Sequence, residues 1–268
     1  MRSSTCFYLD GASSNSFASI FDFVEAWFSR FQEKPKVILV KGAKCAHGPR
    51  WTMRALRAAD TKSLEGIEKL EFFPGGRSTI DDTWRPSIYI AVSLGRPSSI
   101  FFSVSIELDK ITAIQTLEES SRILKSCVAY AFWFPDEFSP LGYYWGISVI
   151  PSARHAGAWG KRESRRLSHW RDNACIGILS DDVRHFHSVC DGYIRDTYPV
   201  MLLSGAHVRR RVIGDVSLAQ AIEQQGFGSL TPVSDKLLWC PPAEKLLEAQ
   251  LFLDQHGINL SGRRFEPG

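Results

Sequence analysis

The sequence has no segment that predicts export or membrane insertion. Its first fifteen residues lack the apolar core and small-residue cleavage site of a secretory signal, and Asp10 interrupts the only apolar run among them. The longest apolar run, Cys127 to Phe134, is far shorter than the roughly 20 residues that span a bilayer. We therefore expect a cytoplasmic protein that does not enter a membrane.

The common catalytic signatures are also missing. No GxSxG, HExxH, P-loop or GxGxxG pattern occurs, so the usual signatures of esterases, zinc proteases and nucleotide-binding enzymes are absent. Adjacent acidic pairs such as Glu118-Glu119 do not face each other on a helix, as a catalytic carboxylate pair must. The sequence predicts no catalytic residue, no cofactor and no metal centre, and we expect a protein that is not an enzyme.

The cysteines show neither a metal-ligand nor a disulfide pattern. The six cysteines contain no CxxC pair and no zinc-ribbon spacing, and 268 residues is too long for a disulfide-stapled mini-domain. They stand at positions 6, 45, 127, 175, 190 and 240. We interpret them as reduced thiols, most of them buried.

Charge of one sign is not in large excess, whereas apolar residues are plentiful. A formal net charge of +3 is too balanced to predict nucleic-acid binding from totals alone. With 44% hydrophobic residues, including eight Trp and seventeen Phe, the chain can bury a sizeable core. Any binding prediction must therefore come from local patches.

Apolar periodicity and capping residues predict four main helices. The first runs from Phe17 to Phe31 behind a cluster of serines, and the second begins at a Thr112–Gln115 capping box. The third begins at a second capping box, Ser217 to Gln220, and Gly226 is suited to end it. The last begins at Pro241 and runs through leucines at positions 246, 247, 251 and 253 to Gly257.

Alternating or apolar runs predict strands that pair as hairpins. Residues 87–94 and 100–108 form the clearest hairpin, and Val128 to Phe134 is expected to pair with Tyr143 to Ile150. Shorter strands are predicted at 36–41 and 237–240. The order hairpin, helix, hairpin predicts an α+β fold with a largely antiparallel sheet built from hairpins and helices packed on it. No repeat or linker divides the chain, so we expect a single domain over residues 1–268.

Two segments have the composition of a binding surface. The residues Asp136, Glu137 and Phe138 follow the apolar strand in a loop and combine charge with an aromatic ring, as interfaces often do. A predicted helix over 155–170 has one basic face that includes Lys161, Arg162, Arg165 and His169. We predict that partner binding involves Asp136, Glu137, Phe138, Arg162 and Arg165.

Two alternatives remain open at this point. His185 and His187 with nearby aspartates are a partial ligand set for a metal-assisted hydrolase, although two ligands do not make a site. The basic helix and Arg209 to Arg211 have the charge for a nucleic-acid-binding module, which predicts salt-sensitive binding that weakens on charge reversal at Arg165 and Arg166. No RNP, KH or helix-turn-helix pattern supports it, so we do not expect nucleic acid as the partner.

A block of architectural residues near the C-terminus carries a family resemblance. It contains Ile194 to Pro199 (IRDTYP), Leu202-Leu203, His207, the helix start GDVSLAQAI, Gly226 to Gly228 and Trp239. This order resembles the immunity protein 52 family of bacterial polymorphic toxin systems, which include type VI secretion effectors. The likeness covers residues 190–257, with weaker echoes in YYWGISVIP.

The resemblance implies a role as well as a fold. Members of that family look like cytoplasmic α+β proteins that bind a co-encoded toxin and block it. The expected function is therefore a non-catalytic immunity protein whose partner is a cognate toxin encoded next to it. Such a protein needs a stable scaffold and a complementary surface rather than an active site.

Overall fold

Ten strands form one antiparallel sheet in the computed structural model, which describes residues 3–11, 15–42, 50–59, 64, 66–74, 87–94, 98–135, 162, 165–169 and 189–262. The strands of this sheet are β1 Ser3–Asp10, β2 Pro35–Gly42, β3 Arg50–Trp51, β4 Ile67–Pro74, β5 Ile88–Ser93, β6 Ser99–Val104, β7 Val128–Pro135, β8 Val200–Leu203, β11 Leu230–Val233 and β12 Lys236–Trp239. Their spatial order is β11-β12-β8-β7-β1-β6-β5-β4-β2-β3. A separate ribbon pairs β9 Arg211–Ile213 with β10 Val216–Ser217. The prediction of an α+β fold with a largely antiparallel sheet is confirmed.

Helices pack on this sheet. They are α1 Phe17–Ser29, α2 Met53–Ala58, α3 Lys110–Ile123, α4 Gly205–Arg209, α5 Leu218–Gln224 and α6 Leu246–Gln255, and residues 165–169 are also helical. The Ser217–Gln220 capping box at the start of α5 is present as predicted. The box predicted at Thr112 is wrong, because Asp109 caps α3 by accepting hydrogen bonds from the backbone of Ile111 and Thr112 at 3.0 Å each.

The sheet separates two apolar cores, and β1 contributes to both. Its side chains alternate, so Phe7 and Leu9 join the core under α1, α2 and α3, while Cys6 and Tyr8 join the core under α5, α6 and residues 165–169. In the first core Phe7 stacks on Phe102 at 4.7 Å. Full burial of such a side chain stabilises the fold by roughly 1.5–3 kcal/mol.

Strands β1 and β4 were not predicted from the sequence, and β6 lies deeper than its pattern suggested. The alternation in β6 indicated one apolar and one polar face, yet Phe101 and Ser103 are buried as well as Phe102. Strand β6 lies between β1 and β5, and its side chains enter both cores, Phe101 on one face and Phe102 on the other. The partner predicted for β7, residues 143–150, lies outside the described residues; β7 pairs with β1 and β8.

A disulfide joins Cys127, just before β7, to Cys190 in the 3-10 turn Val189–Asp191. The prediction that all six cysteines are reduced is therefore wrong, because spacing along the chain does not reveal two thiols that the fold brings together. Cys6 and Cys240 are free. Disulfides persist mainly in oxidising compartments, so the cysteines no longer argue for a cytoplasmic location. None of the helices in the described part of the chain is long and apolar enough to cross a membrane.

Candidate binding groove

A groove of about 290 Å³ opens where β7 ends, between the segment 196–199 and the first turn of α6. Its apolar walls come from Phe132, Phe134, Tyr198, Pro199 and Leu246. Pockets that hold drug-sized ligands span about 300–1,000 Å³, so this volume is at their lower limit. The groove therefore suits one or two protruding side chains better than a large cofactor.

Aromatic stacking fixes one wall of the groove to the sheet. The rings of Phe132 and Tyr198 stack with their centroids 4.8 Å apart, and Tyr130 packs against Tyr198 at the same distance. The Tyr130 hydroxyl accepts a hydrogen bond of 3.0 Å from the backbone N–H of Arg195. These contacts hold the segment before β8 against β7, so the groove has a rigid shape.

A buried ion network supports the floor of the groove. Arg166 donates to the carboxylate of Asp196 from Nε and Nη2, at 2.6 and 2.5 Å, and to Asp254 from Nη1 and Nη2, at 2.5 and 3.0 Å. Burial lowers the pKa of Arg166, but attraction to Asp196 and the hydrogen bonds to both carboxylates outweigh it and raise the pKa above its ordinary value. One guanidinium thus joins residues 165–169, the 196–199 segment and α6.

The carboxylate of Asp196 is held by hydrogen bonds from the protein itself. Besides the two donors of Arg166 it accepts from the side-chain amide of Gln250 at 2.9 Å and from the backbone N–H of Thr197 at 2.7 Å. The one positive charge of Arg166 is shared between Asp196 and Asp254, so the network keeps an excess of negative charge.

An exposed apolar stripe continues from the groove along α6. Leu247 and Leu251 lie one turn apart and are 50% and 57% exposed, while Ala249 and Leu253 on the opposite face are buried. Helix α6 is apolar on two faces, and only one of them packs on the core. A second apolar face on a helix indicates a second contact surface.

One of the five predicted partner-binding residues lines the groove. Arg162 lines it and is exposed, and Arg165, three residues further along, is exposed too. Asp136, Glu137 and Phe138 lie outside the described residues, directly after Pro135 at the end of β7. Several groove residues, such as Trp133 and Tyr198, could not be predicted from the sequence. The groove forms only when segments that are distant in sequence pack together.

The predicted basic surface is smaller in the structure than in the sequence. Arg166 is buried in its ion network, and the His169 ring lies 3.2 Å from the carbonyl oxygen of Gly262. The Arg209 to Arg211 triplet is divided, since Arg210 lies over the Tyr193 ring at 3.4 Å and Arg211 pairs with Asp215 at 2.8 Å. These contacts argue against the phosphate-binding alternative. Trp159 and Trp170, which could have stacked on bases, lie outside the described residues.

A second pair of buried charged groups lies on β1 and in the segment before β8. Asp10 and Arg195 are both inaccessible, and the Arg195 guanidinium lies 4.4 Å from the centroid of the Tyr8 ring. Burial raises the pKa of Asp10 to about 7, and the charge of Arg195 limits the rise. Both residues are buried, and neither of them lines the groove.

His207, one of the residues of the C-terminal block, is buried and neutral. Its Nε2 lies 3.1 Å from the Tyr193 carbonyl oxygen, which can only accept, so Nδ1 accepts from the Ser204 hydroxyl at 2.8 Å. Burial lowers its pKa to about 4. The Ser204–His207 contact fixes the start of α4, and its burial gives it no access to a substrate.

Metal-ligating side chains do not converge in the described residues. No group of three or more His, Cys, Asp and Glu side chains is placed there to hold a metal ion. His185 and His187, the centre of the hydrolase alternative, lie outside that part of the chain. The hydrolase alternative therefore gains no support from the geometry.

Comparison with known proteins gives structural likenesses and no family. No family model matches the chain, and no curated protein matches it. A solved structure described as Pseudomonas aeruginosa T6SS protein PA0821 is 14% identical, with a TM-score of 0.49, over 99% of this chain and 73% of that one. A second, the toxic C-terminal tip of CdiA from Pseudomonas aeruginosa in complex with immune protein, is 11% identical, with a TM-score of 0.27, over 52% of this chain and 92% of that one.

Proposed function

We propose that the chain is a non-catalytic immunity protein that binds a toxin through the groove and the apolar stripe on α6. The observation that carries the proposal is the exposure of Leu247 and Leu251 beside an open aromatic groove. A folded protein gains free energy by covering such side chains, and contiguous apolar surface rimmed by polar residues is typical of interaction sites.

The C-terminal block supports the proposal by its resemblance, not by contacting the partner. Its signature residues Arg195, His207 and Trp239 are fully buried, and Asp196 is held in the Arg166 network. They maintain the scaffold that presents the groove. The resemblance to the immunity protein 52 family supplies the class of partner, a toxin encoded next to this chain.

The groove has the anatomy of an interface centre. Aromatic residues dominate such centres, and here Phe132, Phe134 and Tyr198 form the walls. A stable interface covers on the order of 800 Å² per partner, which the groove, the α6 stripe and the neighbouring Arg162 region together are suited to supply. Asp136, Glu137 and Phe138, which follow β7 in the sequence, stay in the proposal as predicted partner-binding residues.

Co-expression tests the proposal. The chain is produced in bacteria with the toxin encoded beside its gene, growth is measured, and a complex is sought by size-exclusion chromatography. We expect protection and a complex with the wild type and loss of both with the double variant Leu247→Asp, Leu251→Asp. Ile213→Asp on β9 is the matched control, because Ile213 is 44% exposed and does not line the groove. No protection and no complex with the wild type would refute the proposal.

A further inference from the structure

We propose that a second cavity, between α3 and the β11–β12 hairpin, binds a carboxylate group. This hairpin cavity has a volume of about 220 Å³. Its polar lining consists of Glu118, Ser121 and Arg122 from α3 and of Ser234, Asp235 and Lys236 from the hairpin. Leu202 and Val233 also line it and pack in the core under α3, whereas the groove residues Phe132 and Tyr198 pack in the other core. The proposal is therefore independent of the groove and of the toxin.

A buried ammonium group is the main feature of the hairpin cavity. Lys236 is 6% exposed, and strand alternation places it on the same face of β12 as Leu238, towards α3. Its ion pair with Asp235 measures 3.6 Å, which exceeds hydrogen-bond distance, and the Asp235 side chain is 84% exposed. Among the described residues, no acceptor hydrogen-bonds to this ammonium. A charge that is buried in this way is stabilised when a ligand supplies acceptors.

A buried hydroxyl group lines the same cavity. The Ser121 Oγ atom is inaccessible to solvent and makes no hydrogen bond with any described residue. Buried polar atoms in proteins almost always have a partner, so such an atom beside a cavity indicates a missing ligand or water. Lys236 and Ser121 together offer an ammonium and a hydroxyl donor, which are the groups that bind an oxyanion.

The more exposed charges decide which oxyanion fits. Glu118 and Arg122 are 4.0 Å apart, so the guanidinium offsets this carboxylate without a hydrogen bond to it. Asp235 is exposed enough to turn into solvent when a ligand takes its place beside Lys236. One buried ammonium matches a single negative charge, and the two carboxylates nearby would repel a second one. A carboxylate is therefore favoured over a phosphate dianion.

The volume of the hairpin cavity limits the size of the ligand. Pockets that hold drug-sized molecules begin at about 300 Å³, and this cavity is smaller. The carboxylate therefore belongs to a small organic acid or to one acidic side chain of another protein. Both sources share the chemistry that Lys236 and Ser121 recognise.

Titration with acetate tests the proposal. The full chain is labelled with ¹⁵N, sodium acetate replaces sodium chloride at constant ionic strength, and the backbone amide signals of Ser121, Ser234 and Lys236 are followed by NMR. We expect saturable shifts at millimolar acetate and weaker binding of acetamide, inorganic phosphate and methylammonium. No saturable shift with acetate would overturn the proposal, since water alone would then solvate the ammonium. Tighter binding of phosphate or methylammonium than of acetate would overturn it too.

Variants identify the group that holds the carboxylate. Lys236→Met should weaken acetate binding about tenfold, because a hydrogen bond to a charged group is lost. Lys34→Met is the matched control, since Lys34 is an exposed lysine that does not line the cavity. Asp235→Asn should tighten acetate binding roughly two- to fivefold, because it removes a competing exposed carboxylate. This exposed substitution keeps the test decisive if Lys236→Met does not fold. Unchanged acetate affinity in either cavity variant would contradict the proposal.

Two further probes distinguish the sources of the carboxylate. Propionate represents a small organic acid, and N-acetylated, C-terminally amidated glutamate represents an acidic side chain within a protein. Saturable shifts of the same amides with both probes would assign the cavity to a protein partner's acidic side chain. Shifts with propionate alone would assign it to a free organic acid.

Discussion

Arg166 and Asp196 are joined by two hydrogen bonds of 2.6 and 2.5 Å in the protein interior, and the same guanidinium also binds Asp254. Removing one partner of such a pair leaves the other charge buried without compensation. The network lies directly under the groove, so its loss affects both the stability and the shape of the proposed binding surface.

Replacement of Arg166 by Met should therefore destabilise the protein by about 3–5 kcal/mol, since it leaves two carboxylates buried without their cation. Urea unfolding monitored by circular dichroism measures the change. Arg165→Met is the matched control, because Arg165 is exposed and surface changes are usually within about 0.5 kcal/mol. Equal unfolding midpoints for the two variants would contradict the assigned role of Arg166.

Trp239 is fully buried, and its indole N–H donates to the Phe227 carbonyl oxygen at 2.9 Å. Trp239→Ala should cost about 3–5 kcal/mol, because the cavity and the lost transfer free energy add. Trp239→Phe should cost less, since it keeps most of the apolar volume and loses the hydrogen bond. An alanine variant that melts at the wild-type temperature would show that Trp239 does not anchor β12.

The Cys127–Cys190 link closes a loop with a sequence separation of 63. Chain-entropy arguments give a loop of that length about 4 kcal/mol of stabilisation. Dithiothreitol should therefore lower the unfolding midpoint of the wild type and leave that of Cys127→Ala, Cys190→Ala unchanged. Cys240→Ala, which removes a free thiol, should respond to the reductant like the wild type. A wild-type midpoint that does not move on reduction would contradict a stabilising disulfide.

Asp10 and His207 should make opposite contributions to the pH dependence of stability. The pKa of His207 falls from 6.5 to about 4 on folding, so the unfolded chain binds the extra proton and stability is lost as pH falls through that window. The pKa of Asp10 rises from 3.8 to about 7, so the folded chain binds the extra proton and stability is lost as pH rises. In the wild type the two effects largely cancel between pH 4 and pH 6.5.

Single substitutions separate the two effects. In Asp10→Asn only His207 of the two groups remains, so the free energy of unfolding should rise with pH between about 4 and 6.5. In His207→Gln only Asp10 remains, so the free energy of unfolding should fall with pH between about 3.8 and 7. Each change should amount to roughly 3–4 kcal/mol at most, from 1.36 kcal/mol per pKa unit. Urea unfolding at pH 4.5, 5.5, 6.5 and 7.5 measures both. Parallel curves for the two variants would show that these groups do not have the assigned pKa shifts.

Local signals predicted the helices well, and contacts distant in sequence explain most of the misses. The Ser217–Gln220 box and Gly226, with φ at +64°, bound α5 as expected because capping depends on residues a few positions apart. Strand β1 has only a four-residue apolar core, and nothing near it in sequence indicates that β6 and β7 will flank it. The Cys127–Cys190 pairing could not be predicted either, because the fold brings together two thiols that are distant in sequence.

The binding groove was predictable only in part. Arg162 and Arg165 stood out because charge on one helical face is a local pattern. The burial of Arg166 beside them depends on Asp196 and Asp254, which lie 30 and 88 residues away. The sequence did not distinguish the exposed leucines of α6 from the buried one, because apolar residues on two faces of a helix do not show which face the sheet will cover.

The position of β1 in the middle of the sheet has a consequence for folding during synthesis. Thr5 pairs with Val104 on one side and with Trp133 on the other, so β1 leaves the ribosome long before either of its neighbours has been synthesised. Closing loops of this length before any pairing stabilises them slows folding. Until β6 and β7 arrive, both edges of β1 are open to strands of other chains, and this interval is when the protein is most exposed to aggregation.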